Sequence, residues 1–343
     1  MQMHGNTLYV QTERAYLHKD GETVKVEVER EVRLRVPLHH LDGIVCFGRV
    51  AISPALMAEC CERDIGISWM TNEGRFLCRV LGAESGNVLL RRRQYRLADE
   101  QPAALPIARA IVAAKIQNSR TVLLRGAREA EAPQDQAALR RAVDRLECSL
   151  QALPQAGTLD VVRGCEGEAA RVYFESFNGL LKQQREFFSM TGRSRRPPKD
   201  AVNSLLSFVY TVLTHDMAAA LSTTGLDPAV GFLHADRPGR LSLALDLLEE
   251  FRAVVADRLV LSLINLKQVQ PDGFETQPTG AVLMSSATRR TVLSALVQRK
   301  REELIHPLLE EKVPIGRLPL LQARFLARFV RGDLPAYPAF VGK

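Results

Sequence analysis

The hydrophobic period of the chain changes once, near residue 86, and this change limits the possible folds more than any other feature. Before it, apolar and polar residues alternate in short runs such as ETVKVEVERE, with Gly, Asp or Asn at the breaks, as in short strands. After VLLRRRQYRLADE, apolar residues recur at helical spacing almost to the end. We predict an α+β protein with a small β-rich domain (1–85), a linker (86–100) and a larger all-α domain (101–343).

Local signals refine the β-rich domain. The alternating runs predict short antiparallel strands, and GISWMT and RFLCRVLG flank an Asn-Glu-Gly turn. Before GISWMT, SPALMAECCERD predicts one short helix. Ser53 is its expected N-cap and Pro54 its expected first residue.

The charge of the chain favours a polyanionic partner. Its 343 residues carry a formal net charge of +7, and clustered Lys and Arg attract phosphates over long distances. Nucleic acid is therefore a plausible ligand class.

Other classes of protein are disfavoured. The six cysteines contain no CxxC pair, which argues against a zinc site or a disulfide framework, and we interpret them as reduced packing residues. The start, MQMHGNTLYVQ, lacks the features of a signal peptide, and no uninterrupted apolar stretch is long enough to cross a bilayer. We expect a cytoplasmic protein.

The stretch GFLHADRPGRLSLALDLLEEFRAVVADRL places a histidine just before a helix that carries several acidic residues. Asp246, Glu249 and Glu250 fall outside the predicted buried stripe of this helix. Such carboxylates often lie on a solvated face, and a lone histidine is often a packing or capping residue. Together with His234, however, they also fit a mixed nitrogen and oxygen site for a divalent ion.

A second acidic stretch, RGCEGEAARVYFESFNGLL, offers further carboxylates. Gly164 and Gly167 flank Glu166, so we expect the backbone to turn or pack closely there, before a helix that begins near Glu168. Glu166 and Glu168 could equally complement the helix dipole in a first turn. Spacing alone does not choose among Glu166, Glu168 and Glu175.

Three segments, in this order, resemble a known family: GCEGEAARVYF, RRPPKDAVNSLLSFVYTVL and GFLHADRPGRLSLALDLLEEFR. The family is the CRISPR-associated spacer integrase, the universal "Cas one" protein of the adaptation module, and the resemblance spans nearly the whole chain. It implies Mg²⁺ or Mn²⁺ held by Glu166, His234 and Glu249, with Asp246 as a supporting carboxylate. Because the spacing from His to the acidic pair varies in this family, Asp246 and Glu250 remain alternatives to Glu249.

The resemblance also implies an activity and partners. The 3′-hydroxyl of a short DNA fragment would attack a phosphodiester at the edge of a CRISPR repeat, and water in its place would give nuclease activity. A non-catalytic DNA-binding scaffold of the same fold is the alternative, although an intact ligand set favours the enzyme. The implied assembly is a homodimer formed through the β domains. Two dimers would be bridged by a small ferredoxin-like partner, "Cas two", in a hetero-hexamer.

The block MTGRSRRPPKDAVN supplies candidate DNA contacts before a helix whose expected cap is Asp200. A solvated basic loop is the alternative. On the following helix, a polar stripe could line the active site or satisfy buried backbone groups. The predicted DNA-binding residues are Arg193, Arg195, Arg196, Lys199, Asn203, Ser207 and Tyr210.

Overall fold

The computed structural model describes residues 7–72, 74–80, 82 and 88–342. A β-rich N-terminal region followed by a mostly helical remainder confirms the predicted fold class. Residues 1–6, residue 73 of the predicted turn and residues 83–87 at the predicted joint lie outside the described residues.

Contacts divide the chain into two compact units. The first contains Met1–Ser85 together with Arg289–Leu304 and Val313–Leu318, and the rest of the chain forms the second. The sequence pattern had assigned all residues after 100 to the helical domain. A helical period reports which face a segment buries, but not which unit it is buried against.

Two four-stranded sheets form most of the first unit in the described part of the chain. Their orders are β1-β5-β7-β8 and β4-β3-β2-β6. The strands are β1 (Thr7–Val10), β2 (Tyr16–Asp20), β3 (Thr23–Val28), β4 (Glu31–Pro37), β5 (Gly43–Phe47), β6 (Ala51–Ile52), β7 (Gly66–Met70) and β8 (Phe76–Val80).

The expectation of antiparallel pairing is confirmed for only half of the strand pairs of these sheets. Strands β2 and β3, β3 and β4, and β7 and β8 are antiparallel as predicted, whereas β1 and β5, β5 and β7, and β2 and β6 pair in parallel. Helix α1 (Pro54–Glu62) lies between β5 and β7 in the chain and provides the crossover that parallel neighbours need. Alternation identifies a strand, but it does not give the direction of its partner.

Helix α1 begins as predicted. The Ser53 hydroxyl accepts a hydrogen bond from the Leu56 amide at 3.2 Å, and Pro54 is the first helical residue. All six cysteines are free. Cys46 and Cys60 are buried packing residues, but Cys78 and Cys148 are exposed, so the packing interpretation holds for only part of the set.

Helices dominate the second unit, and the expected linker itself contains helix α2. The helices that follow α1 are α2 (Val88–Asp99), α3 (Gln101–Glu129), α4 (Pro133–Ala152), α5 (Leu159–Glu175), α6 (Ala201–Thr223), α7 (Ser242–Glu249), α8 (Arg258–Asn265), α9 (Ser286–Arg301) and α10 (Leu318–Arg331). Short strands also occur after residue 100: β9 (Phe274–Thr276) pairs with β10 (Val282–Met284), and β11 (Glu303–Ile305) with β12 (Lys312–Pro314).

Helix α6 is long and apolar enough to qualify as a membrane span by length and composition, although polar residues such as Asn203, His215 and Asp216 interrupt its apolar sequence. However, 67% of its most apolar stretch is buried inside the protein. It therefore serves as a core helix of the second unit.

A π-helical segment, Arg252–Asp257, connects α7 to α8, and all six of its residues are buried. Such a segment rotates the side chains that follow it relative to a regular α-helix. Arg252 and Asp257 both contribute to the polar interior described next.

Candidate functional site

Glu166 lies in the middle of α5, not before a helix. The helix begins at Leu159 after an N-cap at Thr158, whose hydroxyl accepts a hydrogen bond from the Val161 amide at 3.3 Å. The predicted turn at the flanking glycines is therefore wrong. A Cβ at Gly164 or Gly167 would meet nothing within 4 Å, so packing does not require glycine there. Because glycine has no side chain, the helix surface on either side of Glu166 is not covered by neighbouring side chains.

Asp246 holds the loop that carries His234. Its carboxylate accepts hydrogen bonds from three consecutive amides, those of Phe232 at 2.7 Å, Leu233 at 3.0 Å and His234 at 2.9 Å. It also lies 2.6 Å from His234 Nδ1. A Cβ at Gly231 would approach Asp246 Oδ2 to 2.8 Å, so this tight loop needs glycine. Because a carboxylate only accepts, Nδ1 carries a proton, and in the neutral tautomer Nε2 is the nitrogen with the lone pair.

Arg163 connects the same loop to α5. Its Nε donates to the Leu233 carbonyl at 2.7 Å, and its Nη1 pairs with Asp160 at 2.8 Å. Sequence reasoning missed this residue. The only available signal was its position three residues before Glu166, on the same helix surface.

Glu249 is buried and surrounded by positive charge. Only 2% of the residue is exposed, so the interpretation of a solvated face is wrong. Its carboxylate pairs with Arg252 at 3.0 Å and Lys115 at 2.6 Å, and its Oε1 lies 3.9 Å from His234 Nε2. Burial alone would raise the pKa of Glu249, but Arg252, Lys115 and His234 together lower it to about 2. Glu249 is therefore ionised.

Glu250 is equally buried but has different partners. Its carboxylate accepts hydrogen bonds from the Phe340 amide at 2.6 Å, the Tyr337 hydroxyl at 2.6 Å and Gln322 Nε2 at 3.0 Å. Burial raises the pKa of Glu250 to about 7, although these hydrogen bonds oppose it. Its oxygens hold the C-terminal segment, and so the geometry favours Glu249 as the candidate ligand.

Lys115 of α3 joins the two candidate carboxylates. Its ammonium contacts Glu166 Oε1 and lies 2.6 Å from Glu249 Oε2. Among the described residues, no three His, Cys, Asp or Glu side chains stand together as a ready-made metal site. Sequence reasoning missed Lys115. A signal was present, since it is a single lysine within the apolar run ARAIVAAKI.

The residues fit a divalent cation in three respects. Two carboxylates and an imidazole form a donor set suited to Mn²⁺ or Mg²⁺. The bond from His234 Nδ1 to Asp246 is the arrangement that orients a histidine ligand through its other nitrogen. The space between Glu166 and Glu249 already attracts a positive group, the Lys115 ammonium.

The predicted DNA-binding stripe on α6 faces the interior. Asn203 is fully buried, and Tyr210 is 7% exposed. The guanidinium of Arg193 folds back onto this stripe, donating to Asn203 Oδ1 at 2.6 Å and Ser207 Oγ at 3.1 Å. The Tyr210 hydroxyl donates to Asp257 at 2.5 Å. Direct DNA contact by Asn203 or Tyr210 does not agree with this burial, and these residues shape the basic loop instead.

The exposed basic residues form a rim near the His234 loop. Arg195, Arg196 and Lys199 are exposed, as predicted for DNA contacts, and so is Arg237. Burial lowers the pKa of Arg240, and the nearby positive charges of Arg237 and Arg195 lower it further. These arginines are therefore close to one another and repel. Arg237 and Arg240, which sequence reasoning did not single out, belong to the rim.

Comparison with known proteins gives a consistent result. A family model described as CRISPR associated protein Cas1 matches residues 8–298. The CRISPR-associated endonuclease Cas1 1 of Chlorobaculum tepidum is 48% identical over 341 residues, which cover 99% of this chain and 99% of that protein.

Solved structures share the fold. A casposase bound to integration product superposes with a TM-score of 0.82 at 21% identity, covering 97% of this chain and 93% of that chain. A Cas6-RT-Cas1–Cas2 complex gives a TM-score of 0.80 at 24% identity and covers 99% of this chain but 36% of that chain. At these identities the likeness concerns the fold alone.

Proposed function

Because this chain belongs to the Cas1 family, we propose that it is the DNA integrase and endonuclease of CRISPR adaptation. It would join the 3′-hydroxyl ends of short DNA fragments to a CRISPR repeat by phosphoryl transfer. The name of the Chlorobaculum tepidum relative, an endonuclease, supports the nuclease activity. The integration product in the casposase structure supports strand transfer.

One observation carries the proposal: separate elements bring two carboxylates and one oriented imidazole to the same place. Glu166 comes from α5, Glu249 from α7 and His234 from the intervening loop. Glu166 and Glu249 share the Lys115 ammonium, and His234 Nε2 lies 3.9 Å from Glu249. A scaffold protein has no need to bring this set of donors together.

The three residues would hold Mg²⁺ or Mn²⁺ through Glu166, Glu249 and His234 Nε2. When bound, such an ion stabilises charge on phosphate oxygens and aligns an attacking hydroxyl. Asp246 is a positioning residue, since it fixes the tautomer of His234 and the shape of its loop. No covalent protein intermediate is required.

The exposed rim would hold the DNA backbone beside this site. Arg237 lies three residues after His234, and Arg240 lies close to both Arg237 and Arg195, so these rim residues lie beside the loop that carries a candidate ligand. Phosphate contacts of this kind fix the register of DNA without reading its sequence.

The implied partners are also part of the proposal. We expect a homodimer formed through the β-rich region, and two dimers bridged by a Cas2 partner in the cytoplasm. The name of the solved complex, which contains Cas1 and Cas2, supports a Cas2 partner.

The direct test is an integration assay on a repeat-containing plasmid with the small partner co-expressed. Glu166→Ala and His234→Ala should each abolish strand transfer while DNA binding persists, because phosphates are held mainly by basic residues. Chelator should stop the wild-type reaction, and Mn²⁺ or Mg²⁺ should restore it. Normal integration by either variant would replace this proposal with the non-catalytic scaffold.

A further inference from the structure

Lys115 is a buried lysine in the middle of a core helix. Only 7% of the residue is exposed, and its neighbours Ala114 and Ile116 are buried apolar residues. A buried ammonium needs negative partners, because its desolvation is otherwise costly. Lys115 finds them in the two candidate metal ligands, Glu166 and Glu249.

The charges of the two candidate carboxylate ligands are balanced without any added ion. Glu166 and Glu249 contribute two negative charges, and Lys115 and Arg252 contribute two positive charges. The remaining carboxylate, Asp246, is occupied by three backbone amides and His234 Nδ1. A divalent cation would therefore enter a site whose two candidate carboxylate ligands are already paired with protein cations.

We propose that the Lys115 ammonium is a built-in counter-cation. In the free protein it occupies the position between Glu166 and Glu249 where the divalent ion would bind, and it leaves that position when the ion and DNA bind together. This inference rests on the proposed function, because it assumes that these carboxylates bind the metal. The inference adds Lys115 as the residue that controls when Glu166 and Glu249 bind the metal.

Electrostatics explains the coupling to DNA. An ammonium and a divalent cation repel strongly at short distance in a poorly hydrated site. A phosphodiester brings negative charge that both cations can share. The flexible four-carbon stem of lysine allows the ammonium to change partners without movement of α3. Metal binding should therefore be weak in the free protein and tight in the DNA complex.

The test measures Mn²⁺ binding to the full chain by the EPR signal of free Mn²⁺. The DNA probe is a short duplex with 3′-dideoxy ends, which cannot undergo strand transfer. In wild type, we expect the duplex to tighten Mn²⁺ binding by at least about tenfold, since it relieves the repulsion. In Lys115→Met, which removes the charge at similar size, Mn²⁺ should bind at least about tenfold more tightly than in wild type without DNA.

Thermal melting gives a second readout. Without metal, Lys115→Met should melt below wild type, because the buried Glu249 and the half-buried Glu166 lose their shared partner, and Mn²⁺ should raise its Tm more than that of wild type. Lys182→Met is the matched control, because Lys182 pairs with Glu129 at the surface at 2.9 Å. It should leave Mn²⁺ binding unchanged.

The outcomes separate this inference from the proposed function. If Lys115→Met binds Mn²⁺ no more tightly than wild type, Lys115 is not a counter-cation. Should that variant not fold, the wild-type measurement decides, and equal Mn²⁺ affinity with and without DNA overturns the inference. If neither protein binds Mn²⁺ under any condition, the metal site itself is wrong.

Discussion

The hydrogen bonds of Asp246 show how one residue sets the chemistry of another. Its Oδ1 accepts from both the backbone amide and Nδ1 of His234, while its Oδ2 accepts from Phe232 and Leu233. The imidazole is therefore held with Nε2 directed away from the carboxylate. Neither the loop nor the ring needs to reorganise for Nε2 to act as a ligand.

Replacing Asp246 by Asn should weaken metal binding without removing a proposed ligand. The amide nitrogen cannot accept hydrogen bonds, and each Asp246 oxygen accepts two of them, so two donors among the four lose their partner. We expect Mn²⁺ affinity to fall by about 10–100-fold and the free energy of unfolding to fall by about 1–3 kcal/mol. Metal titration and urea denaturation measure the two effects.

Asp236→Asn is the control for this change. Asp236 is an exposed aspartate of the same loop, and its contact with the Gly231 amide is long, at 3.5 Å. It should behave as wild type. Equal metal affinity in Asp246→Asn and Asp236→Asn would contradict the positioning role.

The roles of Glu249 and Glu250 could not be distinguished from the spacing of residues in the sequence. The two are adjacent and chemically identical, and the helical pattern placed both outside the buried stripe. Their roles differ because Glu250 is held by Gln322 and Tyr337, which are distant in the chain. Local spacing cannot contain this information, whereas the family resemblance did favour Glu249.

At the scale of elements, the loop before α6 divides its arginines between two roles. The guanidinium of Arg193 is packed over the Tyr210 ring, with 5.3 Å from Cζ to the ring centroid, and it bonds Asn203. Arg195 and Arg196 remain exposed. The exposure of Arg195 and Arg196 agrees with the basic loop predicted from the sequence. The polar stripe on α6, which the sequence assigned to DNA contact, forms hydrogen bonds with Arg193 instead.

Substitution of Arg195 and Arg196 together by Ala should reduce the salt dependence of DNA binding. Each lost phosphate contact should decrease the slope of log affinity against log salt by about 0.9. Arg193→Ala should change that slope little and instead lower the free energy of unfolding by roughly 2 kcal/mol, since buried polar groups lose partners. Fluorescence anisotropy over a salt series and urea denaturation distinguish the two effects. An unchanged slope in the double variant would show that the loop does not touch DNA.

The contact between α6 and the π-helical segment should respond to pH. Burial raises the pKa of Asp257 from 3.8 to about 6, although the hydrogen bond from Tyr210 opposes this. Between these values the folded state keeps a proton that the unfolded state releases. The contribution of Asp257 to stability is therefore complete below pH 4, falls as pH rises and is lost above pH 6.

Asp257→Asn should remove this dependence, because the amide stays neutral and its oxygen can accept the Tyr210 hydroxyl. The free energy of unfolding of wild type, relative to the variant, should fall by up to about 3 kcal/mol from pH 4 to pH 7. Urea denaturation across this range measures it. A constant difference between the two proteins would contradict the assignment.

At the scale of the molecule, the sequence predicted that a β-rich region precedes a helical one, but it did not predict which residues belong to each compact unit. The change of period identified the β-rich start, because burial of one sheet face imposes alternation. The same pattern could not show that Arg289–Leu304 groups with the N-terminal residues. It also could not assign a role to Lys115: the lone lysine in an apolar run is visible in the sequence, but its partners Glu166 and Glu249 lie on other helices.

The central claim is that Glu249, and not its neighbour Glu250, works with Glu166 and His234 in metal-dependent strand transfer. The most direct measurement is the rate of fragment integration into a repeat-containing plasmid, in Mn²⁺ and with the small partner, for Glu249→Gln and Glu250→Gln. Both variants lose one buried carboxylate in adjacent positions of one helix. We expect Glu249→Gln to abolish integration and Glu250→Gln to retain it, at a stability cost of about 1–3 kcal/mol. Integration by Glu249→Gln at the rate of Glu250→Gln would contradict the claim.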